Sequence, residues 1–454
     1  MGKIFVIGAG RSASTLIRYL LQNAEAQSWE IRVGDINIEL AKQKIADHPR
    51  GQAILFDSLD RATYGDHITW SDLVISMLPA SMHVPIAREC IDHGKHLLTA
   101  SYISDEMQEL HADAQKAGVL LLNEMGLDPG IDHMSAMRML DKLREQGVPI
   151  VRFESFAGGL LAPQSEANNP WRYKFTWNPR NVVLAGSGSA VKFVQEDRYK
   201  YIPYQRLFRR TEIIEIEGYG KFEGYANRDS LKYIDVYRLR GIPTIYRGTL
   251  RRPGFCKAWD VFVQLGATDD SYLMEGSEDM TCREFIDSFL LYDTQDSTRL
   301  RLMHYLRLDH DSPEMEKLDW LGIFDDAPIG FGKPGTPAQL LQHILEKKWN
   351  LDPDDKDMIV MVHKIHFLDS DAKRHQLFSS TAILGEDRTY TAMAHTVGLP
   401  LGIAARLILD RTIQLTGVQR PPLPAIYHPV LQELERYGIT FHERETAVQF
   451  ESMY

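Results

Sequence analysis

Gly8-Ala9-Gly10-Arg11-Ser12-Ala13 follows the apolar run Ile4–Ile7 and sets two glycines and an alanine at the spacing G-x-G-x-x-A. That spacing suits a diphosphate. Gly8 permits a tight turn, Gly10 leaves the main chain bare for a close approach, and Ala13 lets the following helix lie near the strand. N–H groups at the helix start then face the anion, with the helix dipole behind them. Strand, turn, helix and second strand come in the required order, so a bound dinucleotide is the expectation. Asp35 closes the second strand, where a carboxylate accepts from the adenosine ribose 2′-hydroxyl. A carboxylate there favours NAD over NADP, because a 2′-phosphate would meet like charge. Asp35 is equally suited to cap the helix that begins near Ile38, a role for which Asn37 competes.

A second concentration of chemistry lies at Asn123-Glu124-Met125-Gly126-Leu127-Asp128-Pro129-Gly130-Ile131-Asp132-His133. Eleven residues hold two glycines, a proline and four ionisable groups, in a strand end that must turn sharply into a helix. Either Asp128 or Asp132 suits a helix N-cap, and His133 a structural hydrogen bond. Farther on, Arg228, Arg247, Arg251 and Arg252 put four guanidinium groups within twenty-five residues. Singly, a surface arginine is usually only solvated. Together, in a chain with 51 Lys and Arg against 62 Asp and Glu and a net charge of -11, they suit an anionic small molecule.

These groups need a scaffold of more than one domain, since 454 residues exceed a single core of about 250–300. Hydrophobic residues at 44% and charged residues at 25% are ordinary globular usage. The acidic balance disfavours nucleic acid and anionic membrane surfaces as partners. Cys90, Cys256 and Cys282 form no C-x-x-C pair, so neither a zinc site nor a disulfide framework is expected, and no metal. The N-terminus runs straight into the first strand, with Val6 where a myristoylation signal needs Ser or Thr, and no run reaches about 20 apolar residues. A cytoplasmic protein is the expectation.

From 1 to about 130, apolar runs alternate with amphipathic stretches, as in βαβ units: Glu30–Val33, Asp72–Leu78, His96–Thr99 and Val119–Leu122 read as strands, Thr15–Leu21 and Val84–His93 as helices. From 131 to 270 the texture is that of a mixed sheet, with strands at Val151–Gly159, Thr211–Glu217 and Asp235–Leu239, joined later by Met358–Phe367. Residues 271–355 carry helix-like stretches such as Thr281–Tyr292 and Pro337–Lys347.

Several segments together resemble the saccharopine dehydrogenases of the glutamate-forming type: GAGR at 8–11, LVIS-x-LP at 73–79, Thr99-Ala100-Ser101-Tyr102, GLDPGIDHM at 126–134, Gly158-Gly159-Leu160, Tyr173-Lys174-Phe175-Thr176-Trp177, Asn227-Arg228-Asp229-Ser230 and Arg247-Gly248-Thr249-Leu250-Arg251. Thr391-Ala392-Met393-Ala394 and Gly398-Leu399-Pro400 match as well. The resemblance implies a variant Rossmann domain over 1–130 plus about 390–454, an α/β domain for substrate and dimerisation over 131–270 plus about 356–389, and a small helical insert over 271–355. It implies NAD(P)-dependent interconversion of saccharopine with L-glutamate and 2-aminoadipate 6-semialdehyde through an imine, in a homodimer. The family pattern places Ser101, Tyr102, Arg228, Thr249, Leu250 and Arg251 at the substrate. It places Gly8, Ala9, Gly10, Arg11, Asp35, Asp57, Leu78, Ala100, Ser101, Leu127, Asp128, Pro129 and Thr176 at the cofactor. Asp128 and Tyr102 are the candidates for moving protons near neutral pH.

Two positions depart from fungal members: Gly34-Asp35 stands where they carry a small or basic pair, and Ala157 where they carry a cysteine. Other readings keep the fold and change the role: a related imine-reducing enzyme such as carboxynorspermidine synthase, or a dinucleotide-binding sensor without turnover. Synthesis and degradation of lysine are both compatible with the sequence.

Overall fold

The computed structural model describes residues 2–188 and 190–448. The chain divides into two compact units: Met1–Pro149 with Ile383–His442, and Ile150–Ala382 with Glu443–Tyr454.

In the first unit six strands follow one another as β1 (Gly2–Ile7), β2 (Trp29–Asp35), β3 (Gly51–Leu55), β4 (Leu73–Ser76), β5 (His96–Thr99) and β6 (Leu120–Leu122). With the later strand Gly417–Gln419 they form a seven-stranded sheet in the order Gly417–Gln419, β6, β5, β4, β1, β2, β3. Every neighbouring pair is parallel. The central strands read as unbroken apolar runs rather than alternating ones because helices cover both faces; Ile4–Ile7 and Leu73–Ile75 are entirely buried.

The helix after the glycine-rich turn, Ser14–Ala24, packs on the late helix Ala392–Leu409. Gly398 and Gly402, one turn apart, make that approach possible. A Cβ at Gly398 would lie 2.6 Å from the Leu16 amide nitrogen, and one at Gly402 2.5 Å from the Tyr19 ring. Arg18 then grips Glu386 through two 2.7 Å hydrogen bonds while stacking on Tyr390, and Thr15 meets His395 at 3.0 Å. The helix Ala392–Leu409 is long and apolar enough to cross a membrane by composition, but 83% of it is buried inside the fold.

The second unit is built on β7 (Ile150–Leu161), β8 (Val191–Gln195), β9 (Arg198–Ile202), β10 (Thr211–Ile216), β11 (Gly220–Ala226), β12 (Thr244–Arg251), β13 (Asp357–Leu368) and β14 (Arg374–Leu384). With His442–Ala447 they make a mixed nine-stranded sheet, in which β12 runs parallel to β7 and antiparallel to β11. Phe156, Leu160, Leu250, Met358 and Val360 form the core on one face. The core on the other joins Trp171, Tyr173, Phe255 and Trp259 to residues of four further helices, Cys282–Asp287, Thr298–Leu306, Pro313–Leu321 and Pro337–Trp349. Threonine–glutamate and threonine–glutamine capping boxes open the first and last of these.

Several expectations differ from this fold. The helix Ile131–Glu145 lies in the first unit, against the helix Pro424–Arg436, with Tyr427 donating to Asp141 at 2.8 Å. The helical span 271–355 shares its hydrophobic core with the helix Phe255–Leu265 and is not a separate unit. Asp235–Leu239 is not a strand: Tyr233–Val236 is helical, and Tyr233 and Tyr237, four apart, stack at 5.6 Å. Helical spacing of aromatics overrides the apparent alternation there. The helix expected over Thr281–Tyr292 stops at Asp287.

Candidate active site

Every candidate cofactor residue of the first unit lies at the carboxyl edge of the parallel sheet: Asp35 ends β2, Asp57 follows β3, Leu78 follows β4, and Ala100 and Ser101 follow β5. That edge is where open α/β sheets bind ligands. Gly8 has φ +101, donates its N–H to the Gly34 carbonyl at 2.7 Å, and leaves room for a Cβ only 3.3 Å from the Met77 main chain. Glycine is required there. At Gly10 the same construction meets nothing within 4 Å, so what its bareness keeps clear is open space beside the turn.

Asp35 does not cap the next helix. Asn37 does, accepting from the Glu39 N–H at 3.2 Å. The Asp35 carboxylate instead accepts from the Ala9 N–H at 2.7 Å through Oδ2 and from the Asn37 N–H at 2.8 Å through Oδ1. A negative charge is thereby fixed against the glycine-rich turn. Lys44 donates to Ser14 Oγ nearby; burial lowers its pKa, and the Asp35 charge works against that. Ile36 and Leu59, 70% and 79% exposed, offer apolar surface beside Asp35 and Asp57, whose Oδ1 accepts from the Leu59 N–H at 2.9 Å. Arg11 is exposed and Leu78 half-buried. A bare turn, a helix start and an anchored carboxylate fit a dinucleotide.

GLDPG closes on itself. The Gly126 N–H donates to the Pro129 carbonyl and the Ile131 N–H to the Gly126 carbonyl, both at 2.9 Å. A Cβ on Gly130, at φ +148, would overlap the Gly126 main chain. From Val119 to Met137 every residue is buried except Asp128. The loop thus presents one carboxylate at its only opening. Tyr102 donates its hydroxyl to Asp128 Oδ1 at 2.7 Å. Leu127 and Pro129 on either side are buried, and Ala100 packs under Gly126, where an added Cβ would lie 3.0 Å away.

Sequence reasoning missed His83. Its Nδ1 lies 2.9 Å from Ser76 Oγ, and its Nε2 lies 2.8 Å from Ser101 Oγ and 3.0 Å from Thr99 Oγ1. It therefore fixes the Ser101 hydroxyl. A single histidine at the start of a helix carries no spacing signal, so only the fold reveals it. Burial pushes its pKa from the ordinary 6.5 down to about 4. Between those values the unfolded state holds the extra proton, so stability falls as pH drops through that window, by at most about 3 kcal/mol. His83→Gln should flatten the Tm profile between pH 6.5 and 4 relative to wild type; an unchanged profile would contradict the assignment.

In the second unit, pleating puts Arg247, Thr249 and Arg251 on one face of β12, with Ser155 and Ala157 of β7 and Glu223 and Tyr225 of β11 as their register partners. Leu250 points the other way, fully buried in the opposite core, so only its main chain reaches the arginine side. Arg251 is 6% exposed and sits among Tyr173, Tyr225 and Phe255 at 4.9, 5.9 and 5.4 Å from the ring centres. It donates to the Leu250 carbonyl at 2.9 Å, and among the described residues it forms no ion pair with a carboxylate and its buried Nε has no hydrogen-bond partner. A buried cation in this state suits an incoming anion. Arg252 is different: it is committed to Glu166 at 2.6 Å. Arg247 stacks on Tyr233 at 4.2 Å, Arg228 is exposed in a left-handed turn at φ +50, and Thr176 is buried.

Comparison with known proteins agrees with both halves of this geometry. Residues 4–122 match the saccharopine dehydrogenase NADP binding domain, and residues 126–439 the saccharopine dehydrogenase C-terminal domain. The L-glutamate-forming, NADP(+) saccharopine dehydrogenase of Schizosaccharomyces pombe is 31% identical, covering 98% of this chain and 99% of its own. The mitochondrial alpha-aminoadipic semialdehyde synthase of Bos taurus is also 31% identical over 98% of this chain, which spans 48% of that longer protein. The solved saccharopine dehydrogenase (L-Glu forming) of Saccharomyces cerevisiae superposes with a TM-score of 0.88 at 28% identity, covering 98% of this chain and 100% of that one. Matched over both of its domains and along the full length of a 31% identical relative, this chain belongs to the saccharopine dehydrogenase family.

Proposed function

We propose that this protein is a saccharopine dehydrogenase of the L-glutamate-forming type, an oxidoreductase acting on a CH–NH donor. In the oxidative direction saccharopine, oxidised nicotinamide dinucleotide and water give L-glutamate, 2-aminoadipate 6-semialdehyde, reduced dinucleotide and a proton. The bound dinucleotide supplies the hydride acceptor. The chain supplies orientation and proton handling. Asp128 accepts the proton of the secondary amine or directs water to the imine carbon; in the reverse direction, where carbinolamine loses water to form the imine, the Tyr102 hydroxyl, hydrogen-bonded to Asp128 at 2.7 Å, donates to the departing oxygen. Arg251 and Arg228 serve the substrate carboxylates, with Ser101 and Thr249 as neutral hydrogen-bonding partners. The observation that carries this reading is the Tyr102–Asp128 pair at the only opening of an otherwise buried loop. Saccharopine added to the protein with NAD or NADP at mildly alkaline pH should generate reduced nicotinamide. No signal with either cofactor would contradict the reading.

Both the matched domain and the Schizosaccharomyces pombe relative are described with NADP, whereas Asp35 supports NAD as the cofactor used by this chain. Its carboxylate is held by two main-chain N–H groups and cannot swing away from a 2′-phosphate without breaking the turn. The expected kcat/KM is at least about tenfold higher with NAD than with NADP, a difference of about 1.4 kcal/mol. Asp35→Ala should narrow that ratio, and a wild-type preference for NADP would refute the assignment. A homodimer, for which the family likeness is the support, and a cytoplasmic location, for which the apolar-run reading of the sequence is the support, belong to the same proposal; sedimentation velocity and cell fractionation test them.

A further inference from the structure

Glu124 is a buried carboxylate beside the proposed proton-handling pair, and the reaction above gives it no task. It follows β6 with φ +61, a left-handed conformation that residues other than glycine and asparagine adopt at a cost, and it is 2% exposed. Backbone strain and carboxylate burial coincide at one residue. Its contacts explain what the position achieves. Oε1 accepts from the Ile103 N–H at 3.2 Å, and Oε2 lies 3.4 Å from His133 Nε2. His133 is fully buried, with Nδ1 3.4 Å from Asp132 Oδ2, and Asp132 Oδ1 accepts from the Gly130 N–H at 2.7 Å. The Glu124 main chain adds an N–H donated to the Ser101 carbonyl at 3.0 Å.

The run Ile103, Glu124, His133, Asp132, Gly130 therefore joins two short segments. One end is main chain next to Tyr102, and the other is main chain that closes the loop carrying Asp128. Arg420 brings a cation to 4.0 Å from Glu124 Oε1. We propose that Glu124 and His133 are positioning residues that hold Tyr102 and Asp128 at hydrogen-bond separation. The proposal rests on the saccharopine dehydrogenase reading. It needs neither residue to touch the substrate.

The decisive variant is Glu124→Gly, because glycine accepts φ +61, so the carboxylate is removed without adding backbone strain. Its kcat with saccharopine should fall about 10²-fold, the scale of a small misplacement of reacting groups, with KM and the dinucleotide Kd within about threefold of wild type. Added to Asp128→Asn, it should cause little further loss, because both changes act through the same carboxylate. A crystal structure of Glu124→Gly should show the Tyr102–Asp128 hydrogen bond opened. Should Glu124→Gly fail to fold, Glu124→Gln takes its place, with kcat expected to fall about tenfold, the same threefold limits on KM and Kd and the same double-variant readout. Unchanged kcat, fully additive losses in the double variant, or an intact hydrogen bond would overturn the proposal. The structural readout holds even if wild type does not turn over saccharopine, a result that would sink the functional reading instead.

Discussion

Arg251→Met should lower kcat/KM for saccharopine by about 10²–10³-fold, the loss of about 3–4 kcal/mol that accompanies removal of one partner from a desolvated ion pair. The same change should leave Tm unchanged or raise it. That combination follows from the site. A structural arginine such as Arg252, bonded to Glu166 at 2.6 Å, would leave that buried carboxylate with only the exposed Arg172, at 3.2 Å, to offset its charge when removed. Arg251 has no such ion-pair partner among the described residues: its charge is buried in a ring of Tyr173, Tyr225 and Phe255, at a desolvation cost opposed only through space, by groups that include the Glu223 carboxylate. Methionine fills comparable volume without that cost. Arg251→Lys should recover part of the activity as a point charge but lose the forked geometry. A variant that binds and turns over saccharopine like wild type would remove Arg251 from the substrate site.

Asp128→Asn should reduce kcat by about 10²–10⁴-fold, the usual range for loss of a positioned acid or base. Asparagine keeps the shape of the side chain and can still meet the Tyr102 hydroxyl, so the loop needs no rearrangement. What disappears is the ability to take a proton at the one residue between Val119 and Met137 that is only half-buried. Tyr102→Phe removes the donor to Asp128 Oδ1 but leaves the carboxylate in place, and should cost less, about tenfold to a hundredfold. Rates measured at saturating saccharopine and dinucleotide separate this effect from binding. If Asp128→Asn kept full kcat, Asp128 would be a binding residue only.

Much of the first unit was legible because its signals are local. Gly8, Gly10 and Ala13 act within one strand, turn and helix, and the apolar runs of β1, β4 and β5 announce strands covered on both faces. GLDPG was legible as a turn, since its glycines and proline restrict a few adjacent residues. The sequence could not say which carboxylate the turn presents; Asp132 is buried on the Gly130 N–H, while Asp128 is half-buried and meets Tyr102. Asp35 was ambiguous for the same reason, and the answer lay in a bond to Ala9, twenty-six residues away. Arg251 and Arg252 are adjacent and identical in type, yet only Arg252 is committed to Glu166: Arg251 ends β12 beside Tyr173, while Arg252, one residue past the strand, lies over Phe222. Alternation along β12 turned Leu250 into the opposite core. His83 and Glu124 act through contacts that a linear reading has no means to find.

Product analysis after a single incubation with saccharopine tests the central claim most directly. The two carbons flanking the secondary amine lead to different products, and only loss of hydride from the lysine-derived side releases glutamate. Chromatography of the reaction with NAD should show L-glutamate and 2-aminoadipate 6-semialdehyde rising together, in equal amount to the reduced nicotinamide. Lysine and 2-oxoglutarate in their place, or reduced nicotinamide without glutamate, would contradict the account.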